Sequence, residues 1–303
     1  KKGWELWMNT SEWLSKEIDV EKKNGLCLAF TEDEEKLLIE RSKIRKEYGA
    51  DISIISIKEA KKIDPNINSS IKCAAFCEMD GYVSANQTGK AYSKALKENK
   101  VKILENYDVS EIDYDKNKYV IIFKNGEKLI ASSLILATGV NLEKTLKLLQ
   151  INIKIKCLPQ QLIVSERMPK IMDTVITVAN GKLSLKQFKN GTVLIGGGWP
   201  GIGNIEENYT ETKPENLIGN MMLACHAIPR LKSSRVARVW LGLEAETDDA
   251  MPIIGEIPNY ENAYVIGSIH SGYTSGPYMG KLLAEKILGK DIDLSLFDIK
   301  RFL

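Results

Sequence analysis

The chain has 303 residues, enough for one large domain or two ordinary ones around a real buried core. Its 42 Lys and Arg against 40 Asp and Glu leave a formal charge of +2, which excludes a global field aimed at nucleic acid or an anionic membrane and points to a small-molecule partner. No apolar run approaches the roughly 18 residues of a membrane span, five scattered cysteines without a C-x-x-C pair fit a reducing, cytoplasmic compartment, and two histidines all but exclude a His-based metal site.

The chain opens on Lys1, and Trp4, Leu6, Trp7, Trp13 and Leu14 already carry the apolar spacing of a helix in progress, so a longer parent chain is expected. These tryptophans read as helix-face packing. Residues 25–30 (GLCLAF) form a short buried strand, and Thr31 caps a charged helix that runs to Tyr48. Residues 52–57 are a strand, and Ser56-Ile-Lys-Glu59 has capping-box spacing for a short helix that ends before Pro65. Strands at 74–77 and 81–83 flank a Met79-Asp80-Gly81 turn, and 87–99 has the period of an amphipathic helix. Cys73 and Cys77, spaced C-x-x-x-C, read as core.

A strand at 101–104 leads into a meander of 108–114, 119–124 and 127–131, closed by turns at Asp115-Lys-Asn117 and Asn125-Gly126. Residues 133–139 (SLILATG) are apolar on both faces, as expected of a central parallel strand, and a helix over 140–150 follows the glycine. Strand, meander, strand, glycine, helix is the order in which a doubly wound sheet receives a nucleotide cofactor at the carboxyl ends of its strands.

The second half supplies antiparallel pieces at 156–165, 174–179, 182–188 and 192–196, a helix over 213–228 capped near Thr212, and strands at 236–241 and 263–267. A last helix over 277–288, with Ser275 as a possible N-cap, closes the chain. Gly196, Gly198 and Gly201 fall on the G-x-G-x-x-G spacing, but Pro200 sits inside the turn and the polar stretch 205–214 has no helical period. The motif therefore reads as a strand end with close backbone approach. The loop at 267–276 is the best chemical lead. Gly, Ser and Thr at the mouth of a helix leave backbone N–H groups free and aim the positive macrodipole end outward, where an anion is stabilised. An ordinary capped loop is the other reading.

The stretch WLGLEAETDDAMPIIG (240–255), followed by YVIGSIHSGYTSGPYMGKLLAE (264–285), resembles the closing signature of the FAD-dependent D-amino-acid oxidase superfamily. That group includes glycine oxidase, sarcosine oxidase and the smaller subunits of hydrogen cyanide synthase and opine oxidase. Earlier segments (GLCLAF, DGYVSANQ, LILATG, LPQQLIVSE, NGTVLIGGG) fit the same order. The resemblance implies a mixed α/β (α+β) fold. Residues 81–150 and 246–303 would form an FAD-binding, doubly wound Rossmann-like domain, here lacking its first βαβ unit. Residues 1–80 and 151–245 would form an antiparallel-sheet substrate domain.

The resemblance also implies FAD as cofactor, with Val109 near the adenine, Ala137, Thr138 and Gly139 beside ribose and pyrophosphate, and His270, Ser271, Gly272, Tyr273 and Thr274 at the isoalloxazine. The implied reaction passes hydride from the α-carbon of an amine or amino acid to flavin N5 and gives an imine. In the family, the first strand and its glycine loop precede anything matching Trp4. The chain thus resembles a member truncated at its N-terminus, expected to bind FAD poorly by itself, and a silent fragment or scaffold subunit is the competing expectation.

The substrate-side candidates are Glu244, His270 and Tyr273. Glycine and sarcosine oxidase types commonly carry an arginine after W-x-G-x. Glu244 stands there instead, closer to the cyanide synthase and opine oxidase subunits, and a carboxylate favours a cationic amine or guanidinium. Pairing of Glu244 with Arg235 or Arg238 is the alternative. His270 either touches substrate or flavin or is a packed, hydrogen-bonded histidine, and Tyr273-Thr274 stand where many relatives have His-Gly. The expected partners are a small amine or amino acid and, in addition, a partner subunit or a second copy of the chain.

Overall fold

A computed structural model gives the fold and describes residues 1–14, 18–205, 209–268 and 270–303. Positions 206–208 of the polar stretch and 269 of the 267–276 loop lie outside the described residues. The first third comprises α1 (Lys2–Met8), β1 (Val20–Ala29), α2 (Glu32–Glu47), β2 (Ile52–Ile55), α3 (Ile57–Ile63), β3 (Cys73–Val83) and α4 (Ala85–Glu98). Next come the meander β4 (Val109–Asp115), β5 (Lys118–Phe123) and β6 (Lys128–Ala131), then β7 (Leu134–Leu136) and α5 (Leu142–Lys147). The second half runs through β8 (Lys156–Ser165), β9 (Val175–Val178), β10 (Ser184–Gln187), β11 (Val193–Gly196), β12 (Ile202–Asn204) and β13 (Tyr209–Glu211). It closes with α6 (Pro214–Ala227), β14 (Val236–Glu246), β15 (Ile253–Glu256), β16 (Ala263–Gly267) and α7 (Gly272–Ile287).

The helix starts are local chemistry. Thr31 Oγ1 accepts from the Glu34 N–H at 3.2 Å, and Ser56 with Glu59 forms a complete capping box. Ser56→Ala removes the acceptor for a donor that has no other partner in the helix, at an expected loss of about 1 kcal/mol. A urea titration should show the lower midpoint with an unchanged m-value.

Eight strands form one sheet in the order β14-β8-β11-β10-β9-β1-β3-β2, antiparallel except for the parallel β9/β1 pair. One face buries Leu26, Leu28, Ile163, Ile176, Leu185 and Ile195 against α3 and α6. The other face is divided. Leu38 of α2 covers Ala29, Cys73 and Ala75, while the register aligns Thr177, Ser184, Lys186, Gln160, Leu162 and Glu244 beyond the helix, all half-buried. A wall of polar side chains on a sheet whose other face is oily is where a ligand is received.

A second core joins the meander, α5 and the sheet β15-β16-β7 through Leu136, Leu142, Val265, Ile253 and Tyr119. Arg301 ties the end of the chain to it. Arg301 Nε lies 2.7 Å from Asp249 Oδ2, and this hydrogen-bonded ion pair holds the Asp249 carboxyl well below the usual carboxylate range. A depressed folded-state pKa stabilises the fold fully above the unfolded value near 4 and ceases to do so as pH falls through the lower folded one. The melting temperature of Asp249→Asn should therefore lie below that of the parent at pH 6, and the gap should close under increasing acid. Because Asp249 is partly exposed the gap will be modest.

Several elements differ from expectation. Residues 101–104 form no strand, and Val101 and Ile103 are exposed. The Met79-Asp80-Gly81 segment is not a turn. It lies within β3, which pairs with β1 through a bulge between Lys23 and Gly25. The 133–139 strand shortens to β7, paired only with β16 among the described residues, and Ile135 is half exposed. It is an edge strand, since apolar side chains on both faces do not require partners on both edges. The 140–150 helix becomes a 3-10 turn at Gly139–Asn141 followed by α5, and the N-cap of α6 is Lys213, with Pro214 at the first helical position.

The largest difference is at α7, which starts five residues before Pro277, with Ser271 and not Ser275 as N-cap. A proline inside a helix orphans the carbonyl four residues back. That carbonyl, on Tyr273, accepts instead from Trp7 Nε1 at 2.5 Å, and the Trp7 ring stacks on Tyr273 with centroids 5.9 Å apart. The helices meet so closely that a Cβ on Gly3 would lie 1.9 Å from the Thr274 carbonyl oxygen.

Candidate functional site

Strands β7 and β16 are parallel, so their carboxyl ends open side by side. Ala137, Thr138 and Gly139 leave the first, with Gly139 in the left-handed region at φ 56° and Thr138 Oγ1 2.7 Å from Thr145 Oγ1. Val109, at the start of β4, packs into the same core as Leu136, Val140 and Leu142. Ser268 leaves the second strand. It is buried, and its hydroxyl has no hydrogen-bond partner among the described residues, an orphaned polar atom at the place where two parallel strands end.

Ser271 adopts φ 59° and caps α7 without a side-chain hydrogen bond. Thr274 and Ser275 donate their N–H groups back to the Ser271 carbonyl, at 2.8 and 3.3 Å. The N–H groups of Gly272 and Tyr273 have no acceptor among the described residues and stand at the positive end of the helix dipole.

His270 extends from the same loop toward the end of β14. Its Nδ1 lies 3.1 Å from Glu244 Oε1 and 3.8 Å from Glu246 Oε2. Gln160 Nε2 donates to the other Glu244 oxygen at 3.4 Å. Among the described residues Glu244 thus faces His270 rather than Arg235 or Arg238, and the Arg238 guanidinium lies over the Trp240 ring instead. A neutral imidazole whose Nδ1–H faces a carboxylate has Nε2 free as an acceptor.

Glu244, His270 and Gln160 border a cavity of about 590 Å³ that also meets Thr177 on the open sheet face and Arg41 and Arg45 on α2. Gly197 and Gly198 stand at its rim. No helix follows them, and a Cβ on Gly197 would lie 2.8 Å from backbone atoms of Leu183, so the G-x-G-x-x-G spacing serves close backbone packing, as expected. Tyr273 lies elsewhere. With Thr274 it borders a separate cavity of about 170 Å³ beside Trp4, Trp7 and Asp80, so its half-exposed ring does not join the Glu244 and His270 side.

Sequence reasoning missed Arg41, Arg45, Gln160 and Lys186. The signal for the first two was present: they recur at helical spacing beside the buried Leu38 and Ser42, although both arginines are themselves exposed. Burial pushes the Lys186 ammonium down and the Asp80 carboxyl up, and it raises the Cys27 thiol at the cavity wall, which leaves that sulfur protonated at neutral pH.

Residues 1–286 match the model of the DAO family, described as FAD dependent oxidoreductase. Hydrogen cyanide synthase subunit HcnC of Pseudomonas protegens is 26% identical over a match covering 79% of this chain and 57% of that protein. An opine oxidase subunit from Rhizobium meliloti is 23% identical, over 78% of this chain and 62% of its own length. The chain therefore spans less than two thirds of either relative. The crystal structure of glycine oxidase from Geobacillus kaustophilus superposes with a TM-score of 0.89 at 19% identity, over 100% of this chain and 82% of that one. That of L-proline dehydrogenase from P. horikoshii also gives 0.89, at 22% identity, over 99% of this chain and 81% of that one. Among the described residues, no helix is long and apolar enough to cross a membrane.

Proposed function

The chain belongs to the DAO family of FAD-dependent oxidoreductases, and from that premise we propose that it oxidises the C–N bond of an amino acid or secondary amine received at the Glu244–His270 end of the large cavity. The residues present fit FAD. The Ser268 hydroxyl and the two N–H groups at the mouth of α7, unpartnered among the described residues, suit an acceptor-rich ligand, and the positive helix end suits negative charge on a reduced flavin ring. In this reading Ala137, Thr138 and Gly139 hold ribose and pyrophosphate, Val109 flanks the adenine, and residues 270–274 hold the isoalloxazine. FAD supplies the hydride acceptor, and the oxidised amine departs as an imine for hydrolysis.

The observation that carries the reading is the carboxylate–imidazole pair opening into a cavity beside that helix mouth. Hydride leaves an amine readily only when its nitrogen lone pair is free, so a bound ammonium must first lose a proton. Glu244 attracts the cation, and His270 Nε2, its ring oriented through Nδ1, accepts that proton. We place the cofactor side in 81–150 and 246–303 and the substrate side in 1–80 and 151–245. Two separate cores support a division of this kind, although Ile151, Ile153, Ile155 and Ala245 pack with the cofactor side.

The test is anaerobic mixing of the flavin-loaded full-length protein with sarcosine, proline and opine-type amines. Bleaching of the visible flavin absorption by one of them is expected. A protein that holds flavin and is bleached by none would be a scaffold subunit, and one that holds no flavin would overturn the reading outright. Several relatives are named as subunits, and we extend that to this chain as association with a partner subunit or a second copy.

A further inference from the structure

We infer that the protein has a second ligand site, beside the turn between β10 and β11, whose ligand is a small flat anion: one aromatic ring carrying a carboxylate or a phosphate. The inference does not depend on the proposed oxidation. Its cavity, of about 420 Å³, shares no lining residue with the one that Glu244 and His270 border.

Charge selects the anion. Every charged side chain lining the cavity is a lysine, and the three come from separate segments: Lys23 from β1, Lys170 from the loop between β8 and β9, and Lys189 from the turn after β10. The Lys189 ammonium meets Glu21 and that of Lys170 meets Asp173, but neither acid lines the cavity. Lys23 is half-buried and forms no ion pair among the described residues. A partly desolvated ammonium without a counter-charge is stabilised by an anion brought against it. The turn adds neutral donors, since the backbone N–H groups of Lys189 and Asn190 have no acceptor among the described residues.

Shape selects the ring. Tyr82 and Phe188 meet edge to face on the cavity wall, with centroids 5.1 Å apart, and Met168 and Met172 line it with them. Aromatic rings and polarisable thioethers receive a flat apolar body. These walls are set before a ligand arrives. Gln187 Oε1 accepts from the Ile171 and Met172 N–H groups at 2.8 and 3.3 Å, and Nε2 donates to the Pro169 and Gly191 carbonyls at 3.1 and 3.2 Å. One side chain thus ties the methionine loop to the turn. The Tyr82 hydroxyl donates to the Gln187 carbonyl at 3.2 Å, and Lys186 Nζ lies 5.9 Å from the centre of its ring. Pockets for small molecules run from roughly 300 to 1,000 Å³, so this one suits a single ring and its acid group.

Benzoate, phenyl phosphate and benzyl alcohol share the ring and differ in charge, and each can be titrated calorimetrically into the flavin-loaded full-length protein. At least one anion should bind about 10-fold more tightly than the alcohol, and the tighter of the two names the acid group. Lys23→Gln should weaken that anion about 10-fold, the loss of one charge-assisted contact, and leave the alcohol unchanged. Lys170→Glu, a reversal at an exposed position, should weaken it by at least as much without lowering the melting temperature. The visible flavin bands should stay where they are throughout, because the ligand lies apart from the mouth of α7. Anions bound no more tightly than the alcohol, no binding by any of the three, or an anion affinity unmoved in both lysine variants would overturn the site.

Discussion

Glu244→Gln is expected to lower kcat/KM for amine substrates by about 100-fold, the scale of losing a positioned acid–base partnership. The substitution keeps the volume and removes the charge. An amide oxygen can still face His270 Nδ1, now 3.1 Å from Oε1, but its NH2 would then point at Gln160 Nε2, a donor against a donor where Oε2 at present accepts. The imidazole loses the anion that orients it, and the cavity loses the charge that draws in an ammonium. Both effects act through one unit, so His270→Ala added to Glu244→Gln should cost little more than the worse single change. Steady-state kinetics on the four proteins decide the matter. A single variant within threefold of the parent would show that the pair takes no part in the reaction.

Gly197→Ala should destabilise the fold by about 3 kcal/mol, the sum of a backbone that side chains resist and a collision that cannot relax. Gly197 has φ 102°, and its added Cβ would lie 2.8 Å from the Leu183 amide nitrogen and carbonyl carbon. Those atoms belong to the core of the eight-stranded sheet, where Leu183 is buried, so they cannot retreat as a flexible side-chain tip would. Gly198 is a matched control. Its φ of 60° falls in the left-handed well that L-residues can enter, and its nearest contact, at 3.2 Å, is the Gly181 carbonyl oxygen. Gly198→Ala should cost about 1 kcal/mol. Urea midpoints of the two variants falling together would refute the distinction.

What could be read before folding was whatever the chain decides locally. The caps at Thr31 and Ser56, the meander turns and the glycine-rich strand end at Gly196 follow from neighbours within a few residues. Two of the misreadings share one cause, tertiary contact overriding a local sign. Asp80-Gly81 spells a turn, yet pairing with β1 carries β3 straight through it. Pro277 spells the first turn of a helix, yet an indole from the other end of the chain satisfies the carbonyl it strands. Glu244 and His270 were each visible, but not their meeting, because one lies on β14 of the eight-stranded sheet and the other 26 positions on, beyond β16 of a different sheet. Arg41 and Arg45 were hidden in a helix so rich in charge that its two buried residues, Leu38 and Ser42, mark the sheet side while the exposed arginines beside them look like any other surface cation.

The bond from Trp7 to the Tyr273 carbonyl joins residues 266 apart in sequence. On a folding clock such a contact belongs near the end. Closing so long a loop forfeits far more chain entropy than any hairpin, so the meander and the capped helices can assemble well before it forms. Heating should run the order backwards, with α1 lifting from α7 while the eight-stranded sheet still holds. The mouth of α7, where the cofactor is proposed to sit, is therefore latched by one of the last contacts made and one of the first undone, and a bound flavin that spans that latch would raise the temperature at which it opens.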